Sequence, residues 1–124
     1  MSEKIKVLIV DDAAFMRRKL RTILEQSDME VVGEAETGRG AIEMLDACDP
    51  DVITMDITMP EADGITSLKA IRQVRPGARV VMISAIGQKE KVKDSILAGA
   101  RDFIIKPFVP ERVAEVVSRV ARMQ

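Results

Sequence analysis

Three carboxylates follow directly after runs of strand-forming residues. Asp11 and Asp12 come straight after the apolar run KVLIV at 6–10, and Asp56 follows DVITM at 51–55. A charge at the end of a buried strand needs a reason, because removing it from water is costly. If the two strands lie side by side in a parallel sheet, their carboxyl ends share one edge and the three acids converge. Three carboxylates at close range repel one another, so such a cluster calls for a cation.

Two more polar residues end other strand-like runs. Ser84 closes ARVVMIS at 78–84, and Lys106 follows DFII at 102–105. Oxygen ligands without His or Cys suit Mg²⁺, which keeps several waters and takes few carboxylates plus a phosphate oxygen. Taken singly, these residues would be a helix cap, a loop hydroxyl and a solvated lysine. Together, the acids, the hydroxyl and the lysine indicate a site that handles a phosphoryl group.

Strand-like and helix-like segments alternate along the chain. The predicted strands are 6–10, 30–35, 51–55, 78–84 and 102–105. The predicted helices are 13–26, the segment entered through Gly38 and Gly40, 65–74, 89–99 closed by Gly99, and a last helix opening with Pro110. The last helix shows an apolar face made of Val109, Val113, Val116, Val117 and Val120. Five β–α repeats with mostly continuous apolar strands predict an α/β domain whose parallel sheet carries helices on both faces.

Composition excludes several classes of function. The 124 residues suit a single domain over 1–124, and the net charge of −1 provides no basic field for nucleic acid or a membrane surface. RRKLR at 17–21 is interpreted as a solvated helix face. Cys48 is expected to be a partly buried thiol, since the chain has no histidine to activate it. No signal peptide or membrane span is evident, so we expect a cytoplasmic monomer.

Four segments resemble, in order and spacing, the receiver domains of two-component response regulators: VLIVDDAAFMRRKL, DVITMDITMPEADG, VVMISA and AGARDFIIKPF. The resemblance extends over essentially the whole chain, leaves no room for an output domain, and is strongest to single-domain chemotaxis regulators of the CheY type. It implies a doubly wound, flavodoxin-like sheet of five strands in the order 2-1-3-4-5. It also implies a signalling switch that catalyses only its own phosphorylation and dephosphorylation.

The resemblance also implies roles for individual residues. Asp56 would be the phosphoacceptor. Asp12 and Asp56 would bind Mg²⁺ directly and Asp11 through water, with the backbone carbonyl of Thr58 completing the protein ligands. Lys106 would pair with the phosphoryl oxygens.

The switch implied by the family involves residues around Lys106. Ser84 would move to hydrogen-bond a phosphoryl oxygen, and the bond between Lys106 and Pro107 would be cis. Phe103 would swing inward and change the surface of helix four, strand five and helix five. Because Phe103 has no hydroxyl, where a tyrosine is frequent, its coupling would rest on packing alone.

Two positions would tune the lifetime of the phosphoryl group by controlling the access of water or a phosphatase. Thr58 and Ile86 occupy these positions, and the bulky Ile86 is expected to slow autodephosphorylation. The expected phosphodonor is a histidine kinase of the CheA type. The expected target is a flagellar motor switch protein, with a histidine phosphotransfer protein of a phosphorelay as the alternative, and a phosphatase is a further possible partner.

Other classes of function fit the residues less well. An aspartate-nucleophile phosphatase usually carries a second aspartate two residues after the first, and Thr58 at that position is a poor acid or base. A flavin-binding module needs a Ser/Thr/Gly-rich phosphate loop after strand one, where this chain has DDAAF. DNA binding is disfavoured by the balanced charge and by the expected lack of an output domain.

Overall fold

The computed structural model describes residues 3–59 and 63–123, so the predicted loop residue Pro60 lies outside the described residues. The strands are Lys6–Val10 (β1), Glu30–Ala35 (β2), Val52–Asp56 (β3), Val80–Ser84 (β4) and Asp102–Ile105 (β5). The helices are Ala14–Gln26 (α1), Gly38–Cys48 (α2), Gly64–Val74 (α3), Lys89–Leu97 (α4) and Pro110–Ala121 (α5). The strands pair in parallel in the order β2-β1-β3-β4-β5, which confirms the predicted fold.

The sheet is covered on both faces because successive side chains of each strand point to opposite sides. On one face, Val7 and Ile9 of β1 pack with the apolar stripes of α1 and α5. On the other face, Leu8 and Val10 pack with α2 and α3. The three central strands are therefore buried almost throughout, as continuous apolar runs predict.

Several boundaries differ from the prediction by one or two residues. β3 begins and ends one residue later than predicted, so Asp56 is its last residue rather than the residue after it. β4 begins at Val80 because the N–H of Ala78 is used in a turn, where it donates to the Arg75 carbonyl. α2 already begins at Gly38. α4 ends at Leu97 rather than 99.

Helix ends explain two of these differences. The side chain of Thr37 accepts a hydrogen bond from the N–H of Gly40, so both glycines lie in the first turn of α2. Gly99 follows α4 with φ of 110°, a conformation that stops a helix and that glycine adopts without strain. Val109 was wrongly assigned to the apolar face of α5. It precedes the helix in extended conformation and is 54% exposed.

The basic segment 17–21 is only in part the solvated face that was predicted. Arg18 and Lys19 are exposed, but the side chain of Arg17 is only 13% exposed and pairs with Glu34 of β2. Cys48 is half-buried, as expected, and its Sγ donates to the Val32 carbonyl. Within the described ranges, every helix is too short or too polar to cross a bilayer.

Candidate functional site

The ends of β1 and β3 bring the three acids together. Val10 is paired with Met55 in the parallel ladder, so Asp11 and Asp56 leave adjacent strands side by side. Carboxylate oxygens of Asp11, Asp12 and Asp56 lie within 4.8 Å of one another. Asp11 and Asp56 are buried, whereas Asp12 is exposed. The cluster thus has a buried floor and an open side toward solvent.

Asp11 shows the electrostatic cost of this arrangement. Burial raises the pKa of its carboxyl, and the charges of Asp56 and Asp12 raise it further. A hydrogen bond from the N–H of Ala13, at 2.9 Å, and the charge of Lys106 oppose the rise without cancelling it. The negative charge of the cluster is therefore incompletely compensated by the described residues, and a bound cation would relieve it.

Asp56 has one contact on each carboxylate oxygen. Its Oδ2 lies 3.4 Å from Nζ of Lys106, and its Oδ1 accepts a 3.2 Å hydrogen bond from the N–H of Thr58. Both distances are at the long end for hydrogen bonds, so neither contact holds the carboxylate tightly. The Lys106 side chain is 26% exposed, which sets it apart from an ordinary solvated lysine.

Backbone pairing positions the lysine and the serine. The N–H of Lys106 donates to the Ser84 carbonyl at 2.8 Å, which extends the contact between β4 and β5 by one residue. The bond between Lys106 and Pro107 is cis, as predicted. Ser84 is 1% exposed, and its hydroxyl donates to the carbonyl of Ala85 at 3.3 Å. In the described structure, the Ser84 hydroxyl is thus bound within its own loop rather than to Asp56.

The start of α3 lies directly against the end of β3. The N–H of Gly64 donates to the Ile57 carbonyl at 2.6 Å. A Cβ on residue 64 would lie 2.3 Å from the backbone oxygen of Asp56, closer than real Cβ atoms come. Only glycine therefore allows α3 to begin here. Asp63 caps the helix by accepting from the N–H of Thr66 at 2.8 Å.

The remaining predicted residues lie at the rim of the site. Thr58 is exposed, and its hydroxyl accepts a 2.8 Å hydrogen bond from Nε2 of Gln88. Ile86 is 80% exposed. Phe103 is half-buried and, with Ile86, Val92 and others, lines an apolar pocket of about 280 Å³ next to Ser84.

Two residues near the site were missed by sequence reasoning. Gln88 lies just before the predicted helix 89–99 and was assigned no role, and Arg17 was assigned only to the basic run 17–21. Nη1 of Arg17 donates to the backbone oxygen of Asp11 at 2.7 Å, which ties α1 to the acidic loop. Neither residue carries a sequence signal, because a polar residue at the start of a helix and paired arginines on a helix face are common.

The donor set fits a divalent cation. Its members are carboxylate oxygens, and a hard cation with oxygen ligands such as Mg²⁺ matches both their type and their charge. A carboxylate that adjoins both a cation site and a lysine can act as a nucleophile toward a phosphoryl group.

Comparison with known proteins identifies the family of the chain. Residues 7–118 match the model of the response regulator receiver domain. The chain belongs to that family. It is 54% identical over 114 residues to the chemotaxis protein CheY of Bacillus subtilis (strain 168), covering 92% of this chain and 95% of that protein. It is 50% identical over 117 residues to CheY of Thermotoga maritima, covering 94% of this chain and 98% of that protein.

A solved structure agrees with the sequence relatives. The crystal structure of the CheX-CheY-BeF3-Mg+2 complex from Borrelia burgdorferi contains a chain that superimposes with a TM-score of 0.87 at 38% identity. The match covers 94% of this receiver domain and 88% of that chain. The predicted receiver family is confirmed. So is the predicted function of a phosphorylation-dependent chemotaxis regulator of two-component type, which makes the protein a signalling switch.

Proposed function

We propose that this receiver domain takes a phosphoryl group from a histidine kinase of the CheA type onto Asp56, with Mg²⁺ bound by the neighbouring acids. The main support is the surroundings of Asp56. Carboxylate oxygens of Asp56, Asp11 and Asp12 lie within 4.8 Å of one another, and Oδ2 of Asp56 lies 3.4 Å from Nζ of Lys106. In such a setting both the lysine and a cation bound by the acids can neutralise charge on an incoming phosphoryl group.

The residues divide the work of transfer. An oxygen of Asp56 attacks the phosphorus of the kinase phosphohistidine, forming a P–O bond as the P–N bond breaks and the imidazole leaves with the electron pair. Lys106 stabilises charge on the transferred oxygens. Asp12 and Asp56 would bind the metal directly, Asp11 through a water, and Thr58 through its carbonyl. The metal, when bound, supplies further charge stabilisation and orients the phosphodonor.

The new phosphoryl group changes which conformation is favoured. Ser84 leaves the Ala85 carbonyl to donate to a phosphoryl oxygen, and the side chain of Phe103, in β5, then packs inward. The proposed change extends over the surface of α4, β5 and α5. Its reach to α4 and β5 is supported by the apolar pocket that the loop after Ser84 shares with Val92 of α4 and Phe103 of β5. The population of the two conformations shifts by an amount set by the difference between the free energies with which the phosphoryl group interacts with each of them.

The downstream partner follows from the relatives. Because two relatives at 50% identity or more are chemotaxis proteins, the proposed target is a flagellar motor switch protein. A protein of the CheX type fits as a second partner, since the Borrelia CheY was crystallised in a complex with CheX. Transfer to a histidine phosphotransfer protein is the alternative. Pulling down partners with and without beryllofluoride separates these targets.

Acetyl phosphate provides the test of the chemistry. We expect the protein with Mg²⁺ to gain one phosphoryl group, mapped by mass spectrometry to Asp56, and to gain none in EDTA. Asp56→Asn should block the adduct, whereas the exposed control Asp46→Asn should not. An adduct on another residue, or labelling that does not depend on Mg²⁺, would contradict the proposal.

A further inference from the structure

Gln88 joins two loops across the mouth of the acidic site. It is the residue before α4, and it is half-buried. Its Nε2 donates to the hydroxyl of Thr58 at 2.8 Å, and its Oε1 accepts from the N–H of Ala85 at 2.7 Å. Both distances are those of well-formed hydrogen bonds. One side chain thus links the loop after β3 to the loop after β4.

The same loop also holds the Ser84 hydroxyl. Ser84 donates to the carbonyl of Ala85, so both backbone polar groups of Ala85 are occupied, one by Gln88 and one by Ser84. Gly87, in the same loop, has φ of 94°, and a Cβ there would meet nothing within 4 Å. The loop is therefore held by the Gln88 and Ser84 hydrogen bonds rather than by packing at its tip.

Asp56 is paired with Ile83 in the ladder, so Ser84 and Ala85 follow directly at the end of the neighbouring strand. A phosphoryl group on Asp56 brings acceptor oxygens to this edge, and the Ser84 hydroxyl and the Ala85 N–H are donors there. In the resting structure one of these donors, the Ala85 N–H, already donates to Oε1 of Gln88. A phosphoryl oxygen and the Gln88 carboxamide thus compete for the same N–H.

We propose that Gln88 is a positioning residue that holds the loop after β4 in the resting conformation and is displaced when Asp56 is phosphorylated. The inference rests on the function proposed above. Because Gln88 binds only the resting arrangement, it lowers the apparent affinity for any ligand of the active one. Its removal should therefore strengthen binding of a phosphoryl mimic, the opposite of what damage to the site would do.

The test uses beryllofluoride with Mg²⁺, measured by isothermal titration calorimetry, since the chain has no Trp or Tyr to report binding. We expect Gln88→Ala to bind about threefold to tenfold more tightly than the wild type, the factor that the loss of one or two exposed hydrogen bonds gives. Gln88→Met, which keeps the bulk without the polar atoms, should behave alike. Gln26→Ala, at the exposed end of α1, is the matched control and should not change affinity.

Thr58→Val tests the link itself, because it removes the acceptor hydroxyl and leaves the backbone carbonyl. It should also tighten binding, and combining it with Gln88→Ala should add nothing beyond Gln88→Ala alone. Amide NMR should show the Ala85 N–H shifting in Gln88→Ala before any ligand is added.

The outcomes separate the two proposals. If the wild type binds beryllofluoride and Gln88→Ala binds equally or more weakly, the role of Gln88 is overturned while the phosphoryl site stands. A gain in Gln88→Ala that Gln88→Met lacks would also overturn it, because bulk rather than hydrogen bonding would then be responsible. If the wild type binds no beryllofluoride with Mg²⁺, the proposed function fails, and the role of Gln88 with it.

Discussion

At the scale of single residues, the reactive groups of the resting site form only long hydrogen bonds and ion pairs. The contacts of Asp56 with Lys106 and the Thr58 N–H are both longer than 3 Å. The hydroxyl of Ser84 donates a 3.3 Å hydrogen bond to the carbonyl of Ala85. A new group on Asp56 can replace these contacts at little cost, because weak hydrogen bonds contribute little net free energy. The chemistry therefore depends on residues that exchange partners easily.

Ile86 is expected to set how long the phosphoryl group lasts. Its side chain is 80% exposed at the rim of the site, where it would cover an approaching water only partly. We expect Ile86→Ala to speed the loss of phosphate about threefold, equivalent to ~0.7 kcal/mol of activation free energy. The rate is measured as release of inorganic phosphate from the phosphorylated protein.

The control for Ile86 is an exposed apolar residue outside the rim of the site. Leu97, at the end of α4, is 77% exposed. Leu97→Ala should leave the rate of phosphate loss unchanged. An unchanged rate in Ile86→Ala would show that this side chain does not restrict water.

At the scale of secondary-structure elements, the fold could be predicted well because each strand carries its own signal. Continuous apolar runs flanked by turn residues defined β1 and β5 to the residue. β4 was predicted too long because Ala78 and Arg79 lead directly into the apolar run 80–83. In the structure the N–H of Ala78 donates to the Arg75 carbonyl in a turn. Val109 fitted the helical period of α5, yet it lies before the first turn. Periodicity identifies an element, whereas local hydrogen bonds determine where it begins.

The candidate site could be predicted only in part. Acids at strand ends are visible in a sequence, because the sheet edge is common to all parallel strands. Gln88 acts through hydrogen bonds to the Ala85 N–H in its own loop and to the Thr58 hydroxyl in the loop after β3. Arg17 acts through a hydrogen bond to the backbone oxygen of Asp11. Such contacts depend on the three-dimensional path of the chain, and neither residue type nor spacing predicts them.

The junction of β3 and α3 should be sensitive to one methyl group. In Gly64→Ala the new Cβ would lie 2.3 Å from the backbone oxygen of Asp56, so α3 or the end of β3 must move. We expect a loss of about 1–3 kcal/mol in the free energy of unfolding. Phosphorylation by acetyl phosphate should be slower as well, because the carboxylate of Asp56 moves with its backbone.

Gly77 is the matched control for Gly64. A Cβ at Gly77 would meet nothing within 4 Å. Gly77→Ala should change the free energy of unfolding by no more than about 0.5 kcal/mol and leave phosphorylation unaffected. Urea denaturation followed by far-UV circular dichroism measures both variants, and equal stability of the two would contradict the crowding at Gly64.

At the scale of the whole molecule, the acidic site works against the stability of the fold. The pKa of Asp11 is raised by burial and by its acidic neighbours, so the folded chain binds this proton more tightly than the unfolded chain does. The stability of the metal-free protein should therefore fall as the pH rises from 3.8, the ordinary value for aspartate, through the raised pKa of Asp11. A cation that binds only the folded state restores this loss by mass action.

Asp11→Asn tests this balance, since an asparagine oxygen can still accept the hydrogen bond from Ala13. In EDTA at neutral pH, we expect the variant to be more stable than the wild type, because it lacks the buried charge that raises the pKa of Asp11. The advantage should shrink as the pH falls through the raised pKa of Asp11, where its carboxyl becomes protonated. Millimolar Mg²⁺ should raise the melting temperature of the wild type more than that of the variant. Equal stability of the two proteins in EDTA at neutral pH would show that the acids do not strain the fold.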